Sequence, residues 1–242
     1  MSLGELVGFG RSADVFAIDD RWVLRRYRDG GDATAEALVM RHVAEHGYPV
    51  PGVRSSEGNQ GPEDQVVSHA TRGELVLQRL SGPTLRKAMR QAAVSADQTG
   101  AMLADLLHRL HTIPARVSTD PEHRVLHLDL HPDNVMLTPS GPMVIDWRNT
   151  EEGHPALDWA MTALILAQVA VGPTAEATHG RAVLVSLLQR HDPLIHLGGA
   201  HADCLAEART RRAADPNMDA LEVRVLDDAA ALVRELETEL RE

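Results

Sequence analysis

A chain of 242 residues is long enough to bury a substantial core without disulfides or metal, as one large domain or as two small lobes sharing a cleft. Hydrophobic residues at 43% and charged residues at 24% exclude a disordered chain, and no apolar stretch reaches the roughly 20 residues of a membrane span. With 24 basic against 35 acidic side chains and only 3% aromatic residues, a nucleic-acid partner is disfavoured.

The first 80 residues read as β-rich. Short apolar segments at 6–7, 15–18, 22–27, 65–68 and 74–80 are separated by Gly, Asp and Asn turns, the pattern of a five-stranded antiparallel sheet. One helix interrupts them, from Asp32 as N-cap to His46, and Gly47, Pro49 and Pro51 stop it. From Pro83 onward helical periodicity dominates, so the expected division is an N-terminal lobe over 1–80 and a helical lobe over 81–242. In 95–111, Leu103, Leu106, Leu107 and Leu110 repeat at i, i+3, i+4, i+7 behind a Ser95…Gln98 capping box. A helix over 156–171 is the longest apolar run, broken by Asp158 and Gln168. Another is expected over 181–190, and a last one from Asp219 to the end carries Leu226, Ala229, Val233, Leu236 and Leu240 on one stripe.

Between these helices, 127–147 reads as loop, short strand, a Pro139-Ser140-Gly141 turn and a second short strand, crowded with polar residues. Such a patch inside a helical lobe is where chemistry is expected. In His127-Leu128-Asp129-Leu130-His131-Pro132-Asp133-Asn134, an Asp and an Asn five positions apart lead straight into Val135-Met136-Leu137, and Val144-Ile145 then delivers Asp146. A hairpin of this kind brings Asn134 and Asp146 to one end, where an amide oxygen and a carboxylate can share a hard cation with nucleotide phosphates. Asp129 is left to accept a proton from a hydroxyl.

The pattern H-x-D-x-x-x-x-N, an apolar strand and then I-D resembles the catalytic and metal-binding segments of protein-kinase-like enzymes. His127, Asp129, Leu130, His131, Pro132, Asn134 and Ile145-Asp146-Trp147 are closest to the aminoglycoside phosphotransferase and choline kinase family, in which a Pro-Ala-x-Asp, here Pro155-Ala156-Leu157-Asp158, opens the next helix. The resemblance spans about residues 4–171. It implies a two-lobed α+β fold, with ATP or GTP held between the lobes and Mg2+ on Asn134 and Asp146. The implied reaction is transfer of the γ-phosphoryl group to a small-molecule hydroxyl, with Asp129 as catalytic base.

On the same resemblance, Gly8, Gly10 and Ser12, within Gly8-Phe9-Gly10-Arg11-Ser12, form the phosphate loop, a stretch that by itself reads as a tight hairpin turn. Arg25 takes the place of the phosphate-contacting lysine, on one strand face with Val23, and Glu36 is placed to orient it. Gln78, Arg79 and Leu80 offer backbone groups to the base. Two residues depart from the family pattern. Leu128 stands where a small residue, often Gly, is usual, and the chain's single lysine, Lys87, falls in the helical lobe, so Arg25 must do the lysine's work. These departures suggest as an alternative a non-catalytic nucleotide-binding module, whereas the short stretch between Asp146 and Pro155 argues against a protein kinase.

Thirteen histidines raise a zinc site at His108, His111, His127 and His131, but His111 falls beside the Leu107 and Leu110 stripe and a third exposed ligand is lacking. The lone Cys204 has no disulfide partner and reads as a small buried thiol. Residues 81–242 carry −8 of the net −11, which suggests a cationic acceptor such as an aminoglycoside-like antibiotic or an amino alcohol, with Glu151, Glu152, Asp203 and Glu207 as candidates for its site. The N-terminus lacks the basic, apolar and small-residue order of a signal peptide, and a cytoplasmic location, without membrane or nucleic-acid partners, is expected.

Overall fold

The computed structural model describes residues 4–10, 12–30, 33–54, 70–71, 73–191, 197 and 203–241. Arg11, the expected N-cap Asp32 and the strand expected at 65–68 lie outside the described residues. The chain divides into two compact units, residues 1–82 with 136–150, and residues 83–135 with 151–242.

In the first unit, β1 (Leu6–Phe9), β2 (Ala13–Ala17), β3 (Trp22–Tyr27), β4 (Ala70–Thr71) and β5 (Glu74–Gln78) form an antiparallel sheet in the order β1-β2-β3-β5-β4. Strand alternation buries Val23, Arg25 and Tyr27 together on one face of β3. Helix α1 (Ala33–Glu45) buries Ala33, Glu36, Ala37, Met40 and Val43, an i, i+3/4, i+7 stripe that includes one acidic residue. The helix is followed by Gly47 in the left-handed region, at φ 76°.

Strands β7 (Val135–Thr138) and β8 (Gly141–Val144) make the expected hairpin. Residues 136–150 belong with the sheet unit, whereas the division expected at residue 80 places them in the helical lobe. The Val144 N–H donates to the Pro49 carbonyl at 2.8 Å, and the Trp147 ring stands edge-on to Tyr48 at 5.5 Å between centroids. Gly82, at φ 138°, packs so closely here that a Cβ would lie 1.9 Å from the Leu137 carbonyl oxygen.

The second unit holds α2 (Leu85–Arg90), α3 (Ala96–Leu110), the antiparallel pair β6 (Arg124–Leu126) and β9 (Glu151–Gly153), α4 (Pro155–Val171), α5 (Ala177–Leu188), α6 (Cys204–Ala213), α7 (Ala220–Arg224) and α8 (Leu226–Glu239). Helix α4 is its centre, buried without interruption from Ala156 to Gln168 and packed by α5, α6 and α8. That is why its sequence is apolar all round and why Asp158 and Gln168 stand out in it. The Ser95–Gln98 capping box forms on α3, with reciprocal bonds of 3.1 and 2.9 Å. The C-terminal stretch is two helices divided at Val225, and Leu240, expected on the buried stripe, is exposed beyond the end of α8. Helix α2 holds Lys87, as expected, whereas α6 was not expected from the sequence, because it is highly charged and buries only Cys204, Leu205 and Ala208. Among the described residues, no helix is long and apolar enough to cross a membrane.

Gly100 lies inside α3, where Ala is favoured by about 1 kcal/mol on propensity alone. A Cβ there would sit 2.6 Å from Ser186 and from the Val183 carbonyl, so overpacking decides the sign. Gly100→Ala is expected to destabilise the protein by about 1–3 kcal/mol in denaturant unfolding, and a stabilised variant would show that α3 and α5 approach less closely.

Candidate active site

The loop leaving β6 is built around a carboxylate in the first turn of α4. Asp158, with no solvent exposure, accepts the His127 N–H at 2.9 Å and the Leu128 N–H at 2.8 Å, and meets His111 Nε2 at 3.1 Å. Burial opposes its charge, but His111 and the His127 N–H outweigh burial and hold the carboxyl below its ordinary range. Directly after those two N–H groups the chain turns through the left-handed region, with Leu128 at φ 59° and its side chain buried. The following residue is Asp129.

Asp129 Oδ2 accepts the Asn134 amide N–H at 3.2 Å, and the Asp129 carbonyl accepts from the same nitrogen at 2.8 Å. Asp129 Oδ1 faces His131 Nε2 and Arg212 Nη1, each at 3.8 Å. Asn134 closes a one-turn 3-10 helix, Pro132–Asn134, capped by His131, whose Nδ1 accepts the Asp133 N–H at 3.3 Å. Arg86 of α2 ties the back of this turn to α5's approach, holding Asp133 at 2.9 Å and Glu176 at 2.7 Å. With its nitrogen spent on Asp129, Asn134 keeps Oδ1 as a hard oxygen donor.

In the first unit, the Arg25 guanidinium bridges two carboxylates. Nη1 donates to Glu36 Oε1 at 2.7 Å and Nη2 donates to Asp146 Oδ1. Glu36 Oε1 also accepts the Trp147 N–H at 3.1 Å, while Oε2 is buried with no hydrogen-bond partner among the described residues. Burial pushes the Glu36 carboxyl up to about 7 against the pull of Arg25. Burial works against the charge of Arg25 as well, but Glu36 and Asp146 outweigh it and raise its pKa. The Tyr27 ring lies under both Arg25 and Arg148, at 5.0 and 4.7 Å. Asp146 itself is at φ 66°, a backbone region that a non-glycine residue occupies only when its surroundings insist.

The other expected nucleotide contacts are less specialised. Among the described residues a Cβ on Gly8 or Gly10 would meet nothing closer than 3.6 Å and neither has positive φ, so the loop's own geometry does not require glycine at either position. The Gly10 N–H returns to the Ala13 carbonyl at 2.9 Å, as a tight turn does, and the half-buried Ser12 accepts the Arg28 N–H through its carbonyl at 3.0 Å. The Gln78 and Arg79 N–H groups donate to the Gly52 and Arg21 carbonyls, each at 2.8 Å. That leaves the Leu80 N–H, for which no acceptor occurs among the described residues.

The four acidic candidates for a cationic acceptor are engaged elsewhere. Glu151 and Glu207 share Arg211 at 2.8 and 2.9 Å, and Asp203 caps α6 and pairs with Arg234 at 3.2 Å. Glu152 accepts the N–H groups of Arg116, Val117 and Ser118 at 2.6–3.0 Å, which hold its carboxyl below the usual range against its own burial. Of the histidines, His111 serves Asp158 and His131 caps the 3-10 turn, and among the described residues no cluster of three His, Cys, Asp or Glu forms a metal site. Arg212 was not anticipated. Its helix lies beyond the part of the chain that the resemblance covers, and its charged sequence reads as a solvated face.

The sequence pattern of the phosphotransferase enzyme family matches residues 4–124 and 114–194, and the chain belongs to that family. Its enzymes are kinases with alcohol acceptors. Among solved structures, the chain is similar to the aminoglycoside phosphotransferase APH(4)-Ia in ternary complex with ADP and hygromycin B, at 15% identity and a TM-score of 0.58, covering 99% of this chain and 93% of that one. It is similar to ADP-bound APH(2'')-Ib at 13% identity and a TM-score of 0.52, covering 98% and 95%. A choline/ethanolamine kinase family protein from Mesorhizobium loti matches at 14% identity and a TM-score of 0.53, covering 100% and 92%. These likenesses establish the two-lobed kinase-like fold. No curated protein sequence matches the chain.

Asp158→Asn keeps the shape but turns an amide N–H toward donors and removes the charge that His111 faces. It is expected to cost about 3–5 kcal/mol in denaturant unfolding, the range for breaking a buried charged network. Because the folded-state pKa of Asp158 lies below its unfolded value, the natural protein holds this stabilisation above about pH 4 and loses it as pH falls through the folded pKa. The gap between natural protein and variant should therefore close in acid, and a gap independent of pH down to 3 would show that the carboxylate charge does not matter.

Proposed function

We propose that this chain transfers the γ-phosphoryl group of ATP or GTP to a hydroxyl of a small molecule, with Asp129 as the catalytic base. The observation that carries this reading is the way Asp129 is held, by a turn that Asp158 enforces and by the Asn134 amide, with its Oδ1 toward Arg212 and His131. The lobe of residues 1–80 is assigned to the nucleotide and residues 81–242 to the base and acceptor. Similar proteins solved with ADP or with AMP-PNP and Ca2+ support a nucleotide and a divalent cation here.

Asn134 and Asp146 fit Mg2+ in chemistry, since both offer hard oxygens and the ion ordinarily takes one or two carboxylates with phosphates and water. Magnesium and nucleotide, when bound, supply the phosphoryl group and neutralise its charge. Asp129 orients the acceptor hydroxyl and takes its proton. Arg25, aimed by Glu36, presents donors to phosphate oxygens in place of the family's lysine, after giving up part of its hold on Asp146. Gly8, Gly10 and Ser12 line the phosphate loop, and the Leu80 N–H is the hinge donor for the base, with Gln78 and Arg79 holding the strand end in register. A cytoplasmic setting, where nucleotide is abundant, suits this activity.

The acceptor and nucleotide roles separate by mutation. Asp129→Asn is expected to abolish acceptor phosphorylation while Mg·ATP affinity in calorimetry changes little, whereas Asp146→Ala should weaken Mg2+-dependent nucleotide binding itself. Identical behaviour of the two variants would end this division of labour.

Arg25→Ala should lower kcat/KM about a hundredfold or more, Arg25→Lys should recover part of the loss, and Glu36→Ala combined with Arg25→Ala should be far from additive. Unchanged nucleotide binding and turnover in Arg25→Ala would remove the clamp assignment. Activity that arises only in Arg25→Lys would instead favour the non-catalytic nucleotide-binding module, a reading to which the direct contact of Arg25 with the metal ligand Asp146 lends some weight.

A further inference from the structure

We propose that Arg212 selects the acceptor, so that the hydroxyl phosphorylated beside Asp129 is flanked by an oxygen function, neutral or anionic, and not by an amine. The proposal rests on the kinase reading above and adds a substrate class to it.

Arg212 comes from α6, in the part of the chain beyond the family resemblance. Its side chain is 13% exposed and its Nη1 stands 3.8 Å from Asp129 Oδ1. The guanidinium is held from behind. Nε donates to Gln168 Oε1 at 3.2 Å, and the Gln168 amide nitrogen donates to the Glu222 carbonyl at 3.1 Å, so α4 and α7 together fix the plane of the fork. Asp215 Oδ2 lies 3.9 Å from Nη1 and shares the charge, while its Oδ1 accepts from Asn217 at 2.9 and 3.0 Å. Among the described residues the Nη atoms of Arg212 donate no hydrogen bond; the two carboxylates near them are too distant for a direct one.

A partly buried guanidinium with undonated N–H groups, locked beside a catalytic carboxylate, asks for an oxygen. The 3.8 Å between Nη1 and Asp129 Oδ1 is spanned by one oxygen that accepts from Arg212 and, as a hydroxyl, donates to Asp129, since bonds of about 2.9 and 2.7 Å close that triangle. A neighbouring hydroxyl, ether, carbonyl or carboxylate oxygen can take the remaining donors. An ammonium there would meet like charge and find no acceptor on Arg212, which has five N–H groups and never loses its proton. His131 Nε2, at 3.8 Å from the same Asp129 oxygen, is the other group on this side. The acidic residues that suggested a cationic acceptor are spent on Arg211, Arg234 and backbone N–H groups.

The test uses the full chain with Mg2+ and γ-labelled ATP on paired probes, glycerol against serinol and glucose against glucosamine, with choline and kanamycin in the amine arm. The natural protein should favour the oxygen-flanked member by about tenfold or more in kcat/KM. Arg212→Gln should lower kcat/KM for that member about tenfold, mainly through KM, and narrow the preference, with Mg·ATP affinity unchanged. Arg212→Lys, which keeps the charge but not the fork, should fall between them and preserve the ranking; it decides the matter if Arg212→Gln fails to bind Mg·ATP.

Preference for choline, serinol, glucosamine or kanamycin, or a ranking that Arg212→Gln or Arg212→Lys leaves untouched with unchanged kcat/KM, overturns the proposal while the kinase reading stands. A natural protein that binds Mg·ATP and phosphorylates none of the probes overturns both.

Discussion

A carboxylate sealed inside α4 accepts two successive backbone N–H groups, and the geometry of the whole second-unit site follows from that contact. Once the His127 and Leu128 N–H groups have met Asp158, the chain turns through the left-handed region at Leu128 and so leads to Asp129. For a leucine this costs about 1–2 kcal/mol. Two hydrogen bonds to a charged acceptor, each contributing about 1.5–3 kcal/mol, and the burial of the leucine side chain more than offset it. The backbone is thus over-determined, and a bulky residue holds the left-handed conformation directly before Asp129. His111 completes the arrangement by keeping Asp158 charged at the pH where its two acceptor oxygens are needed.

The first unit places its charges by a different device. A lysine offers one point of charge, whereas the two Nη groups of Arg25 hold Glu36 and Asp146 at once, at separate corners of a rigid plane. Buried ion pairs contribute little net stability because desolvation offsets their attraction, so placement of the charges is the better account of this triad. Among the described residues Glu36 Oε2 has no hydrogen-bond partner, which points the same way, since an ion pair built for stability alone would have both carboxylate oxygens satisfied. Asp146, held in a left-handed conformation beside Trp147, whose N–H also reaches Glu36, ties this charge triad to the segment that follows β8.

How much of this was legible in the sequence depended on the range over which each signal acts. The loop with Asp129 and Asn134, the strand that ends at Val144 just before Asp146, and the alternation that sets Arg25 on the buried face are local patterns, and the structure forms them where the residues indicated. The Ser95 capping box and the stop of α1 before Gly47 are equally local. Asp158 was visible as part of the Pro-Ala-x-Asp segment, but its work spans 30 residues to Leu128 and 47 to His111, which no periodicity encodes. Arg212 was hidden for a further reason: α6 buries three residues of ten, so its composition reads as a solvated surface although one of its arginines turns inward. An isolated polar residue in an otherwise apolar helix was the available clue, because Gln168 is buried in α4 and needs partners, and Arg212 is one of them.

The acidic excess of the second part shows why summed charge is a poor guide to what a site accepts. A net charge acts on solubility and on encounter over distances of a Debye length, about 10 Å at 0.1 M salt. Recognition beside a base is decided within one hydrogen bond, by groups whose own partners leave donors or acceptors over. In this chain the four carboxylates that the charge excess singled out are engaged by a helix cap, by Arg211 and Arg234 and by backbone N–H groups. Arg212, whose Nη groups donate no hydrogen bond among the described residues, stands next to Asp129 and carries the opposite sign. Since α6, α4 and α7 hold Arg212 while Asp158 holds the turn that leads to Asp129, the two are placed by separate contacts, and a different side chain at 212 would leave the Asp129 turn as it is.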